Sequence, residues 1–417
     1  MNYLERVRGF SPNARLLLYR SLLVGLNFGI WAVLFNLYLL SLGFDKVFVA
    51  QMISVNWLAH GALVIPAGII SDLIGRRTTY LWAYSTAIIM RLSMLFVLEP
   101  SNLLMLNAIA GMVEGFHAIT GPPFMAEQSR PEERVHLFSI SATFVGASLT
   151  IGSLLAGLLP LFIAKPLGIT SGSAWALRSS LLVSIPLSVL TMLPIYLIKE
   201  KWRRVSVRSW FEGLTSKAVI GMLGLTAGIE GLALGFTLPF YNVMFAERLK
   251  ANPEHIGVIF SIAAAAVAGC TLFSPLLVAK LGRVKTIFLV QVIGVPFLVS
   301  MMSFYSIPLI GGLYILRKVF SGTEAGPGGG LSIPVERLFS MEIVRKHERG
   351  TTNGIIHSMS EFPMALTASI AGPMMERGDW TLAYYLGGAL TLVSFIIYFL
   401  YFRGIEAKRA KLGEDLA

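Results

Sequence analysis

The chain has 417 residues, 55% of them hydrophobic and 14% charged, with a formal net charge of +11 and a mean hydropathy of +0.70. So much apolar surface excludes a water-soluble globule and makes lipid the solvent. One cysteine, Cys270, excludes an intrachain disulfide framework and a cysteine-based zinc cluster, and the absence of a Gly-x-x-x-x-Gly-Lys-Ser/Thr phosphate loop argues against drive by ATP.

Twelve hydrophobic runs are predicted as membrane-spanning helices, at 14–42, 47–70, 78–98, 101–126, 136–164, 174–198, 218–246, 255–279, 286–304, 307–334, 350–375 and 380–403. Most are about 20 to 28 residues long, enough for a helix to cross the hydrocarbon core with its backbone bonded internally. The first run is too long for a removable signal peptide and lacks a cleavage site. Placing the termini and every second loop on one side collects Arg6, Arg8, Arg15, Arg76, Arg77, Arg130, Arg134, the run 199–217, Lys280, Arg283, Lys285, Arg345, Lys346, Arg349 and the 408–411 tail there. The positive-inside rule then puts both termini in the cytoplasm of a multi-pass protein of the plasma or inner membrane. The charge of +11 is topological, aided by anionic lipid, and calls for no nucleic acid.

In chain order, span 1 carries Asn27, and span 2 ends in Gly68-Ile-Ile-Ser-Asp72-Leu-Ile-Gly75-Arg76-Arg77. Arg91 falls in span 3, Glu114 in span 4, and Gly121-Pro122-Pro123 near the end of span 4, where a hinge and close packing are both open readings. Gly146, Gly152 and Gly157 in span 5 suit close helix packing. The run 199–217, with Trp202, Trp210 and Phe211 among its charges, reads as an interfacial linker between halves 1–200 and 218–417. Glu230 lies in span 7, Arg317, Lys318 and Glu324 in span 10, and His357 with Glu361, one helical turn apart, in span 11. Charges at such depth must meet each other or water. Their plainest role is structural ion pairing, and Arg91 with Glu114 suits it best.

The chain repeats itself. Pro275-Leu-Leu-Val-Ala279-Lys280-Leu-Gly282-Arg283 echoes the first motif 207 residues on, with Ala279 in the slot of Asp72. Met125-Ala-Glu127, Glu133-Arg134 and Ala156-Gly157 recur as Met341-Glu342, Glu348-Arg349 and Ala371-Gly372, mostly 215 residues on. The expected architecture is an all-α integral membrane protein with twelve transmembrane helices in two pseudo-symmetric six-helix bundles.

With the repeated Gly-x-x-x-Asp-x-x-Gly-Arg-Arg, twelve spans split six and six, and a central basic loop, the chain resembles the major facilitator superfamily over essentially its whole length. The resemblance implies a latch at the cytoplasmic junction of the bundles built from Gly68, Asp72, Gly75, Arg76, Arg77, Arg134, Gly282 and Arg283. The simpler alternative makes the arginines topology signals only. It further implies that spans 1, 4, 7 and 10 face a central cavity, bringing Asn27, Glu114, Glu230, Lys318 and Glu324 together, with His357 and Glu361 nearby. Buried carboxylates there suit proton coupling, and Arg317 with Lys318 suits an anionic substrate.

Subfamily markers are mixed: Asn107 precedes Gly111 where drug–proton antiporters carry arginine, Gly146–Gly152 contains no proline, and no sugar-porter motif follows span 6. The expected activity is secondary transport of a small organic solute by alternating access, coupled to protons, with export of amphipathic or drug-like compounds in the lead. Uptake of a metabolite or organic anion and a non-transporting receptor are the rivals. His357-x-x-x-Glu361 is no zinc-binding pair of histidines, so no enzyme, metal or cofactor is expected. The partners are the small-molecule substrate, protons and lipid, and the protein is expected to act as a monomer.

Overall fold

Ser11 and Pro12 set the first helix. The Ser11 hydroxyl accepts the Ala14 amide at 3.3 Å and proline fills the first helical position, where its missing N–H costs nothing. The computed structural model describes residues 10–130, 133–198, 215–321, 330–345 and 348–411, and among these all regular structure is helical.

Every predicted span coincides with a helix: α1 (Pro12–Ser41), α2 (Lys46–Ile74), α3 (Arg76–Met94), α4 (Pro100–Glu127), α5 (Arg134–Ala164), α6 (Ala174–Leu190, continued by Met192–Leu197), α7 (Lys217–Gly235), α8 (Pro253–Thr271, continued by Ser274–Leu281), α9 (Arg283–Ser300), α10 (Ile307–Val319, with Ile333–Glu342 after it), α11 (Arg349–Glu376) and α12 (Trp380–Lys411). Among the described residues, nine are long and apolar enough to cross a membrane; α10, described over only 13 residues, is too short for that measure, and α3 and α11 are less apolar. The molecule is a twelve-helix membrane protein. Most of the linker 199–217 lies outside the described residues, as do Arg6, Arg8, Lys346 and residues 322–329, which include Glu324.

Two local features differ from uniform spans. α4 runs unbroken through Pro122 and Pro123. α7, expected to continue to residue 246, stops at Gly235, since Pro239 has no amide for the ladder; short 3-10 and π turns from Leu238 to Arg248 complete the segment.

The sequence repeat is also a packing repeat. In one half Gly25 and Gly29 of α1 press on α5, and a Cβ on Gly29 would lie 2.7 Å from the Ser153 amide. In the other, 206 residues on, Gly231 and Gly235 of α7 press on α11, where a Cβ would overlap the carbonyls of Ser360 and Met364. Both motif glycines adopt positive φ, 95° at Gly75 and 79° at Gly282, which lets the chain turn sharply from α2 into α3 and from α8 into α9.

Contacts divide the chain into two compact units. The first comprises Met1–Phe44, Leu58–Ser209 and Asn252–Ser261, so the first turns of α8 pack with it: Gly257 abuts Gly157, and Ser171 donates to Glu254 at 3.0 Å. The second comprises Asp45–Trp57, Trp210–Ala251 and Ile262–Ala417, so the first turns of α2 pack with it: Ala50 abuts Gly372, and Lys46 Nζ lies 3.0 Å from Glu376.

Gly29→Ala and Gly231→Ala are each expected to lower the melting temperature of the detergent-purified protein, with a loss of about 1–3 kcal/mol from overpacking. Gly312→Ala, where a Cβ meets open space, is expected to be neutral or stabilising in the same thermal-shift measurement.

Candidate functional site

In the first unit the interior charges are tied to one another through α1, α3, α4 and α6. Arg91 donates to Glu114 Oε1 at 2.5 Å and to Asn27 Oδ1 at 3.3 Å, with its guanidinium 5.3 Å from the Trp31 ring. The Asn27 amide turns outward to α6, donating to the Ser184 carbonyl at 2.9 Å and the Ser188 hydroxyl at 2.5 Å. Asn27 and Glu114 therefore meet through Arg91, in an arrangement that compensates both charges.

Arg20 is a residue the sequence reading passed over. It lies just over two turns into α1, only 9% exposed, and donates to His117 Nε2. Since arginine can only donate, that ring nitrogen accepts, and the imidazole is neutral. The rings of Tyr80 and Tyr84 lie 4.8 and 5.4 Å from the guanidinium carbon, and Tyr80 meets His117 edge-on at 4.9 Å. An arginine inside a predicted span was the available signal; its closeness to the span's end made it look like a topology residue.

In the second unit Glu230 of α7 is 4% exposed, with Glu336 and Arg317 as its neighbouring charges. Arg317, 2% exposed, lies within hydrogen-bonding reach of the Tyr241 hydroxyl, while its Nε and Nη1 have no partner among the described residues. Tyr241 packs edge-on against Tyr314 at 4.9 Å and Tyr384 at 6.1 Å, and the Lys318 ammonium lies 5.8 Å from the Tyr314 ring. Glu336 was missed because it sits just past the predicted end of span 10. On α11, His357 Nδ1 is 3.9 Å from Glu361 Oε1; the imidazole is 46% exposed and the carboxylate residue 5%. Among the described residues no cluster of histidine, cysteine and acidic side chains forms a metal site.

At the motif end the two units share an arginine–glutamate pair and differ in the bonds around it. Arg76 pairs with Glu127 at 2.9 Å, and Arg283 pairs with Glu342. Arg77 donates to the carbonyls of Ile195 at 3.2 Å and Tyr196 at 2.6 Å, tying α3 to the end of α6; in the other unit Glu406 of α12 accepts the Arg283 amide at 2.6 Å, tying α12 to the start of α9. Gly68 is buried on α2, and the side chains of Asp72 and Arg134 lie outside the described residues.

Glu133 accepts from the Ser11 amide at 3.0 Å, the Ser11 hydroxyl at 2.7 Å and the Arg130 amide at 2.8 Å. Glu348 accepts from the Ser216 hydroxyl at 2.6 Å, the Ser216 amide at 3.0 Å and the Arg345 amide at 3.1 Å. Burial pushes the Glu133 carboxyl up, but the Arg130 amide and Ser11 outweigh it and hold the group below the ordinary carboxylate range. The Ser216 hydroxyl, then the Ser216 and Thr215 amides, hold Glu348 well below that range. Each carboxylate thus pins the start of one unit's first helix.

The family model for the Major Facilitator Superfamily matches residues 20–323 and residues 223–415. Among solved structures, the nucleoside transporter NupG superposes with a TM-score of 0.71 at 14% identity, covering 94% of this chain and 100% of that chain. A D-xylose–proton symporter gives 0.70 at 15% identity, covering 92% and 96%. A bacterial homologue of the iron transporter ferroportin, inward-facing, gives 0.69 at 16% identity, covering 93% and 98%. At these identities the likeness is one of fold. No curated protein sequence matches the chain at a significant level.

Because both capping carboxylates are depressed in the folded state, their stabilisation is full above the unfolded carboxylate value of about 4.3 and disappears as pH falls through the lower folded value. Glu133→Gln and Glu348→Gln should melt below wild type by a constant margin from neutral pH to about 5, the margin narrowing only below about 4. Glu114→Gln alone, which leaves Arg91 uncompensated, should destabilise by about 2 kcal/mol in thermal unfolding, more than the double variant Arg91→Met/Glu114→Gln.

Proposed function

The chain belongs to the major facilitator superfamily, and on that footing we propose that it is a secondary active transporter moving a small organic solute by alternating access, coupled to protons. In this reading residues 1–200 rock against 218–417, joined by 201–217, in a cell membrane with both termini inside. Arg76, Arg77 and Arg283, with Gly68, Asp72, Gly75, Arg134 and Gly282, form the conformational latch.

The observation that carries the coupling is the grouping of buried Glu230 and Arg317 with half-buried Glu336. One guanidinium balances one carboxylate. The second acid is neutral with a proton and charged without one, so loading it changes the interior charge by one at a place where uncompensated charge is costly. A conformation that admits water from one side lets that proton leave to that side. Glu361 beside His357 is a second acid of this kind, while Asn27, Glu114, Lys318 and Glu324 belong to the solute path.

Export of amphipathic compounds is the leading direction. Proton-coupled uptake of an organic anion is the second reading, favoured by the buried cations Arg20 and Arg317. The nucleoside transporter, the xylose–proton symporter and the ferroportin homologue differ in cargo, so the shared fold does not choose between these readings.

Compounds that raise the melting temperature of the purified protein in a metabolite and drug panel are expected to move across reconstituted vesicles in response to an imposed pH gradient. Glu230→Gln should keep the thermal stabilisation and lose the gradient-driven movement. Flux indifferent to the gradient in wild type, or unchanged gradient dependence in the variant, overturns the assignment.

A further inference from the structure

Arg20 stands apart from the other buried cations. Arg91 has Glu114, Arg283 has Glu342 and Arg317 has Glu230 as a neighbouring charge. Arg20 has no carboxylate in ion-pair contact among the described residues, and its three neighbours, His117, Tyr80 and Tyr84, are all neutral. Its Nη2 is given to His117, and its Nε and Nη1 form no hydrogen bond to the described residues. Beside it lies an apolar cluster of Leu17, Tyr80, Phe124, Ile195 and Ile198. A guanidinium with its Nε and Nη1 donors free, two aromatic rings beside it and an apolar floor matches an anionic group carried on an apolar body.

We propose that this is a binding site for an amphipathic organic anion, its carboxylate or sulfonate on the guanidinium of Arg20 and its body against Tyr80 and Tyr84, and that a proton enters with it on His117. The proposal rests on the transporter reading only in making this anion the transported solute. The groups facing His117 are Arg20 from α1, His60 from α2, and Tyr80, Tyr84 and Arg91 from α3, with Glu114 one turn back on its own helix. Glu114 is engaged by Arg91. The charged groups left facing the imidazole are cationic, and the ring accepts from Arg20. An anion on Arg20 supplies the missing negative charge, so the imidazolium becomes tolerable. Arg20 then turns its donors to the anion, and the proton taken from water sits on Nε2. By linkage, anion and proton each tighten the other by the same factor.

The test uses benzenesulfonate, which stays ionised throughout, so that any pH dependence belongs to the protein, and neutral benzenesulfonamide as its counterpart. Calorimetry on the full-length purified protein should show benzenesulfonate binding and the sulfonamide not. Arg20→Gln should weaken the sulfonate by about tenfold or more, with Arg20→Lys in between. Wild-type affinity should rise from about pH 8 to 6, and His117→Gln, which keeps an acceptor for Arg20, should flatten that profile. If Arg20→Gln does not fold, the His117→Gln profile decides alone. Equal binding of the sulfonamide, unchanged affinity in Arg20→Gln, or a surviving pH slope in His117→Gln overturns the site. So does competition by phosphatidylglycerol in phosphatidylcholine vesicles, which would make the anion a lipid headgroup. Vesicles that couple protons to benzenesulfonamide and not to the sulfonate sink the anion site and leave the carrier; Arg20-dependent binding without flux sinks the carrier and leaves the site.

Discussion

The cost of charge in hydrocarbon governs this molecule. Each ionisable group placed deep in a span must be compensated inside its own helical unit, because lipid supplies neither charge nor hydrogen bond. In the first unit Arg91 meets that demand by gathering Glu114 and Asn27, and Asn27 in turn engages α6 through Ser184 and Ser188. In the second, Arg317 sits with Glu230 and Tyr241. These groupings fix which faces of α1, α3, α4, α7 and α10 turn inward as firmly as apolar packing does, since rotating any of these helices would strand a charge.

Duplication explains what the two units share. The Arg76–Glu127 and Arg283–Glu342 pairs, the Glu133 and Glu348 caps, the positive-φ glycines 75 and 282, and the glycine-mediated contacts of α1 with α5 and α7 with α11 are the same solution used twice. They bind helix ends and set interhelical distance. The interior charges are not repeated. The first unit has Arg20 and His117 beside neutral rings, while the second has Glu230, Glu336 and Arg317. Chemistry specific to this chain therefore lies where the symmetry fails.

The sequence made the twelve helices and the twofold repeat legible, because hydropathy and spacing report membrane length and common ancestry directly, although α7 and α10 stop well before their predicted ends and α12 runs well past its own. It also placed Asn27 with Glu114, though not the outward turn of the Asn27 amide. Three things escaped for physical reasons. Arg20 and Glu336 lie near span ends, where a long charged side chain ordinarily reaches water, so the burial of Arg20 and the partial burial of Glu336 leave no mark in composition. The neutrality of His117 depends on a partner 97 residues away. The break in α7 arises from Pro239 acting with its tertiary surroundings, whereas α4 carries Pro122 and Pro123 without interruption.

That contrast between α7 and α4 bears on mechanism. A helix through lipid can drop a hydrogen bond at proline if neighbours or a local turn recover it, and α4 does so while staying straight enough to remain one helix. α7 instead spends Phe236–Arg248 on three kinds of turn, with Phe240, Tyr241, Asn242 and Phe245 all buried in protein. Irregular backbone survives at such depth only where protein or a water-lined cavity surrounds it, and π turns recur at working sites. Its counterpart α1 is continuous from Pro12 to Ser41. Of the two equivalent helices, only α7 has given up regular structure, and it is the one that carries Glu230 a turn and a half before the break and Tyr241, within reach of Arg317, just after it. The carboxylate proposed to carry the proton therefore adjoins the irregular stretch of its own helix, and on that proposal a change in its charge would be felt first by that stretch.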